Sequence, residues 1–214
     1  MNDHDFDIEP VKGLPETPPE GERILWQGSP DPWRFATRVY KLWWVVGYFL
    51  LLGLWRVVDF LDRGLGWAEA LNSFAWFAGL AAILAAMLYG FGWATAKSAV
   101  YTITNRRVAM RIGIALTLTL NLPHQWIQSA DMRVRRDRSG DIALSLKGES
   151  KIGYLVLWPH AQPWKINAPK PMFRAIREVE QVAAILGEAA QTRIAKLEAS
   201  GAMPDAGASP VAAE

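Results

Sequence analysis

The run Leu42 to Leu61, LWWVVGYFLLLGLWRVVDFL, and the run Phe74 to Ala96, FAWFAGLAAILAAMLYGFGWATA, decide what kind of chain this is. A helix rises about 1.5 Å per residue, so about twenty apolar residues cross the ~30 Å hydrocarbon layer of a bilayer. Each run reaches that length, and the pair predicts a transmembrane hairpin with helices over 42–61 and 74–96. The second run holds no ionisable side chain and stops at Lys97. The first carries Arg56 and Asp59 near its far end, three residues apart and so on one helix face. Close to an interface both can reach water, which avoids the ~2.5–3.5 kcal/mol of a mid-bilayer charge. A soluble core hairpin is the alternative, but a 214-residue chain has too little other sequence to cover two such helices on all sides.

Short-loop charges set the expected orientation. Arg34, Arg38 and Lys41 precede the first span, Lys97, Arg106 and Arg107 follow the second, and the loop between them is mixed, which predicts both termini in the cytoplasm. Trp43, Trp44, Trp55, Trp67, Trp76 and Trp93 fall near the span ends, where an indole sits in the lipid boundary with its N–H in water. Ala78, Ala82, Ala86, Gly90 and Ala94 place a small residue at every fourth position of the second span. Such a row admits a close helix. Its expected partner is the first span, through Gly47 and Gly53; a helix of another protein, or of a second copy in a homo-oligomer, is the other reading.

The remaining sequence suits one modest domain. The net charge of +2 conceals a net −6 over residues 1–33 and a net +8 over residues 97–170. With no cysteine, disulfides, thiolate nucleophiles and cysteine metal sites are excluded. The acidic opening Met1 to Glu9 is unlike a cleavable signal peptide. Residues 1–21, with four prolines and many acids, are expected to be an extended arm. Residues 22–28, Glu22-Arg-Ile-Leu-Trp-Gln-Gly, read as a strand ahead of the membrane that joins the later sheet.

From residue 98 to 190 the period turns to two. Tyr101 and Ile103 alternate with Thr102 and Thr104, a turn at Asn105-Arg106 follows, and Val108, Met110 and Ile112 alternate with Arg107, Ala109 and Arg111. Further strands are expected over 116–122, 128–134, 141–147 and 152–158. Pro171 suits a first helical position, and Phe173, Ile176, Val179, Ala183 and Leu186 share one helical face. Residues 200–214 are expected to be a disordered tail.

Six or seven antiparallel strands closed by one C-terminal amphipathic helix is the plan of a PH-like β-barrel. The fold class expected is therefore an α+β membrane protein, a two-helix transmembrane hairpin bearing a cytoplasmic PH-like barrel. Glu22-Arg-Ile-Leu-Trp-Gln-Gly, two spans, then Tyr101-Thr-Ile-Thr-Asn-Arg-Arg-Val with Gly113 downstream resembles the bacterial PH-domain membrane proteins. More narrowly, His4-Asp-Phe-Asp-Ile-Glu-Pro-Val-Lys-Gly-Leu-Pro, Gly140-Asp-Ile-Ala-Leu, Leu157-Trp-Pro-His and Pro163-Trp164 resemble the photosynthetic complex assembly proteins of the PuhB type. The resemblance runs over residues 4–186. It implies a non-enzymatic assembly factor for the reaction centre and core antenna in the intracytoplasmic photosynthetic inner membrane of a purple bacterium, with those membrane proteins as partners. It supplies no catalytic residue.

The chemistry agrees with that. His4, His124 and His160 are not at metal-ligand spacing and none lies in a span, so neither metal nor cofactor is expected. Asp131, Asp137 and Asp141 sit among arginines, where solvated ion pairs are the ordinary explanation. The informative polar feature is a basic face: Arg107, Arg111, Arg133, Arg135, Arg136 and Arg138, with Lys147 and Lys151. Anionic membrane lipids would attract it by about 1 kcal/mol per nearby cation. An acidic partner protein would use the same charges for steering, with Trp26 or Trp126 as buried anchors. Nucleic acid is not expected, for want of interleaved aromatics and a recognised motif. The alternative function is a generic membrane-anchored PH-like scaffold or anionic-lipid module.

Overall fold

The structure, a computed structural model, describes residues 13–14, 16–114, 116–148 and 152–200. Most of the expected acidic arm and nearly all of the expected tail lie outside the described residues. The chain forms two units, residues 32–94 and residues 1–31 together with 95–214.

The first unit is helical. Helix α1 (Pro32–Arg38) leads to α2 (Leu42–Asp62) and α3 (Trp67–Ser98), and both long helices are apolar enough to cross a membrane. Helix α3 starts seven residues before the apolar run because Glu69 suits the partial positive charge of a first turn, and Lys97 suits the last. Few α2 side chains are covered: Leu42 and Gly53 alone are buried. The belt tryptophans are exposed, Trp44 by 79% and Trp76 by 76%. Arg56 and Arg63 both reach Asp59 at 2.9 Å, so the one carboxylate at the end of the first span is shared by two guanidiniums.

The small-residue row meets the first span only at its start, where Ala78 and Ala82 share an apolar groove with Leu42, Val46 and Leu50. A Cβ on Gly53 would come within 2.9 Å of the Phe74 ring and 3.1 Å of Phe77, so that glycine sets the α2–α3 contact, whereas Gly47 and Gly90 have nothing within 4 Å. Ala81 is buried, while Ala82, Ala86 and Gly90 are exposed. The reason is helical drift. Positions four apart advance about 40° beyond a full turn, so a row from Ala78 to Ala94 winds across the helix instead of holding one face.

Among the described residues, the second unit holds seven antiparallel strands. β1 (Ile24–Gly28), β2 (Val100–Thr104), β3 (Arg107–Ile112) and β4 (Leu118–Pro123) form one sheet in that order. β5 (Ile127–Val134), β6 (Gly140–Leu146) and β7 (Met172–Ile176) form another. β1 pairs with β2, Trp26 opposite Ile103 and Gly28 opposite Tyr101, so the apolar helices are an insertion between two neighbouring strands. Helix α5 (Val179–Ala199) packs on both sheets. Its Val179, Val182 and Leu186 complete a core with Ile103, Met110 and Leu122 from one sheet and Ile142, Leu144 and Phe173 from the other.

Three expectations need correction. The sheets do not close into a barrel: Pro123 and the 3-10 turn His124–Trp126 redirect the chain after β4, and β5 pairs with β6 alone. The stretch 152–158 is not a strand; it contains the helical turn α4 (Tyr154–Leu157), with Leu155 and Val156 exposed. The seventh strand is β7, where a helix start was expected. Phe173 and Ile176 are both buried because β7 is bulged between the pairs Ile142–Phe173 and Gly140–Ile176, with Ala175 at φ 52°. An extra residue in a strand turns two positions three apart to the same side, which imitates helical spacing.

Candidate interaction surface

The motif residues around the first turn act as a clamp. Asn105 Oδ1 accepts the Arg23 amide at 2.9 Å, the Asn105 amide donates to the Arg23 carbonyl at 3.1 Å, and Nδ2 donates to the Gly21 carbonyl at 2.9 Å. Glu22, its side chain 3% exposed, accepts from Thr104 at 2.8 Å and from Arg107 Nε at 3.0 Å. Arg106 donates to the Glu20 carbonyl at 2.9 Å. Thr104-Asn-Arg-Arg thus fastens the segment before β1 to the β2–β3 turn. Gly113, at φ 112°, ends β3 where any Cβ would strike the Leu116 carbonyl. These motif positions are structural.

A second network is buried. The Arg174 amide donates to the Tyr101 hydroxyl at 3.3 Å, and that hydroxyl shares a 2.6 Å hydrogen bond with His160 Nδ1. Tyr101 stacks on Phe173 at 4.5 Å, and Phe173 on Trp26 at 6.2 Å. Burial raises the Tyr101 pKa, and burial, with the Arg174 charge, pushes His160 down to about 3. Burial likewise lowers His124, whose Nε2 lies 2.8 Å from the Thr104 carbonyl. Both rings are uncharged core groups. The Tyr101–His160 bond joins two of the quoted sequence motifs, Tyr101-Thr-Ile-Thr and Leu157-Trp-Pro-His, and that joint occurrence is the signal that could have located it. Asp31, bonded to Arg177 at 2.8 and 3.0 Å, carried no such signal.

The expected basic face is split. Arg107 is held by Glu22, and Arg111 is only 5% exposed, because every residue of β3 from Val108 onward is buried on both faces. Trp26 is committed to the core through Phe173, and Trp126 is half-buried in the 3-10 turn. Arg135 is half-buried, 3.6 Å from Asp141, whose other oxygen accepts the Ala175 amide at 2.9 Å. Arg133, Arg136 and Arg138 remain exposed together at the β5–β6 turn. Lys147 is exposed at the other end of β6, and Lys151 lies outside the described residues.

The basic tip is rigidly built. Arg138 takes φ 57°, Ser139 donates to Asp137 at 2.6 Å, and the Arg138 carbonyl accepts the Val179 amide at 3.1 Å, tying the turn to α5. A side chain on Gly140 would collide with the Arg133 carbonyl. Beside the tip, β5 is an edge strand exposed throughout Gln128 to Val134, with Asp131 reached by Lys170 at 3.8 Å. Three guanidiniums on a fixed turn beside an open strand can dock a carboxylate- or phosphate-bearing surface. Among the described residues, no cluster of metal-ligating side chains is present.

Comparison with known proteins agrees with this architecture. The family model for the bacterial PH domain matches residues 47–190. The chain is 42% identical over its full length, and over the full length of the relative, to a Rhodobacter capsulatus protein described as an uncharacterized 23.7 kDa protein in the puhA 5′ region. No solved structure shows a significant match. With two-thirds of its length matched, on strands and helices arranged as described above, the chain belongs to the bacterial PH-domain family.

Proposed function

We propose that this protein is a non-enzymatic assembly factor for the photosynthetic reaction centre and its core antenna, anchored in the intracytoplasmic membrane by α2 and α3 with both termini in the cytoplasm. The observation that carries the reading is the full-length similarity to a Rhodobacter capsulatus protein encoded 5′ of puhA. The PuhB-type motifs noted in the sequence point the same way. The exposed apolar surface of α2 and α3, with its tryptophans outward, suits lipid as the surrounding medium. The PH-like unit then works by contact, its basic tip Arg133, Arg136 and Arg138 meeting acidic surface on a membrane-protein partner. A generic PH-like scaffold that holds anionic lipid is the second reading, favoured by the same three exposed cations.

Deletion of the gene separates the two. Under the assembly reading, cells grown photosynthetically lose reaction-centre core complex, measured by near-infrared absorbance of purified membranes, and regain it when the intact gene is returned. Unchanged core-complex levels in the deletion strain would end the assembly reading.

A further inference from the structure

A cavity of about 580 Å³ opens between the β2–β3 turn and the outer half of α5, away from the basic tip. Four cations converge on it from three separate segments: Arg23 before β1, Arg106 in the turn, and Arg193 and Lys196 on α5. Among the described residues, Glu188 is the one acid lining it. Among the described residues, the side chains of Arg23, Arg193 and Lys196 enter no ion pair. Converging like charges with a single counter-charge repel one another, and the repulsion is relieved when an anion enters.

The walls are fixed before any ligand arrives. Arg23 is held by its backbone pairing to Asn105, and the Arg106 guanidinium is oriented by the Glu20 carbonyl at 2.9 Å, with its remaining N–H groups unused by that bond. On α5, Glu188, Thr192 and Lys196 are spaced four apart, as are Ile185, Ala189 and Arg193, so two adjacent rows of one helix face the cavity. Leu25, 45% exposed, and Ile185 and Ala189 add an apolar wall under the charged rim. Three planar guanidiniums, an ammonium and a hydroxyl above an apolar wall match a polyvalent oxyanion attached to an organic body.

We infer that this cavity is a binding site for a phosphate-bearing small molecule, held by Arg23, Arg106, Arg193 and Lys196. The site is independent of the assembly reading and of the basic tip. Its phosphate could be that of a soluble metabolite or of a lipid headgroup. The strand ends that lead to the apolar helices, Gly28 and Val100, lie at the opposite end of β1 and β2 from the cavity's Arg23 and Arg106.

The test uses the full chain in zwitterionic detergent, titrated with inorganic pyrophosphate and followed by phosphorus NMR. Saturable broadening of the pyrophosphate line is expected, with affinity reduced about tenfold or more in the double variant Arg193→Gln, Lys196→Gln. A control variant, Lys147→Gln with Lys165→Gln, removes the same charge elsewhere and should bind as the parent does. Equal losses in both variants would reduce the effect to net charge and overturn the site, as would the absence of saturable binding. In nanodiscs, displacement of pyrophosphate by phosphatidylglycerol identifies a headgroup as the source, and undiminished binding identifies a soluble phosphate; either supports the phosphate site. Capture of an acidic peptide copying residues 1–12, with no capture of pyrophosphate, would overturn the phosphate assignment.

Discussion

Strands β3 and β5 carry similar sequence patterns and end in opposite environments. Each sets arginine on the face opposite apolar neighbours, Arg107 and Arg111 in β3 and Arg133 in β5, with Arg135 just past its end. Yet β3 is an inner strand of its sheet and buried on both faces, whereas β5 is an edge strand exposed along most of its length. Alternation reports that a strand has two faces; it does not report whether the polar face meets water. That depends on the neighbours, and the neighbours are set by topology.

The largest test of the contrast is charge reversal. Arg111→Glu places a carboxylate where a 5% exposed guanidinium sat, and should destabilise the second unit by about 3–5 kcal/mol. Thermal unfolding of the full chain in detergent, followed by near-ultraviolet circular dichroism, would show it as a large fall in Tm. An unchanged Tm would mean that the polar face of β3 is open to solvent after all.

Acid sensitivity is an intermediate effect and belongs to the buried network behind β2. His160 is pushed down to about 3 in the folded protein, from about 6.5 in an unfolded chain. The folded state therefore resists taking up a proton that the unfolded state accepts. Stability is intact above about pH 6.5 and falls as pH drops, by up to about 1.4 kcal/mol per unit, until the folded pKa is reached. His124, also lowered by burial, adds in the same direction. His160→Asn should lower stability at neutral pH yet flatten the acid slope between about pH 6 and 4. An equally steep slope in that variant would assign the acid transition to other groups.

The same distinction between pattern and neighbourhood explains what the sequence made legible. The two long helices, β1 to β6 and the inner face of α5 announce themselves through period and composition, since each buries or exposes a face set by its own residues. The misread segment, 152–176, depends on relations across the chain. β7 is a strand because β6 offers it an edge, and its bulge at Ala175 gives Phe173 and Ile176 the spacing of a helix. Trp26 looked like an interface anchor because nothing nearby in sequence announces Phe173, on which it stacks. The basic tip was within reach: Arg136 and Arg138 flank the Ser139-Gly140 turn, and turns lie at surfaces. Arg193 and Lys196 were not, since their cavity exists only once α5 meets a turn 80 or more residues earlier.

The smallest effect on folding is expected at that tip, where the effect on function should be greatest. Arg133, Arg136 and Arg138 are exposed, and none makes an ion pair among the described residues, so replacing all three with Glu removes little that the fold uses. Each exposed substitution should change stability by no more than about 0.5 kcal/mol. Arg138 sits at φ 57°, a conformation glutamate adopts at similar cost to arginine, so the turn is preserved. The inserted protein should accumulate normally and melt like the parent, in contrast to Arg111→Glu. If the tip docks a partner protein, core-complex absorbance falls in cells carrying the triple variant while binding of the purified protein to anionic vesicles is little altered, because desolvated protein contacts require the specific guanidinium geometry that diffuse lipid attraction does not. If the tip holds lipid, vesicle binding falls instead and weakens steeply with salt in the parent. Normal core-complex levels and normal vesicle binding together would reduce Arg133, Arg136 and Arg138 to a solvated turn, and the distinction between β3 and β5 would then be one of burial alone.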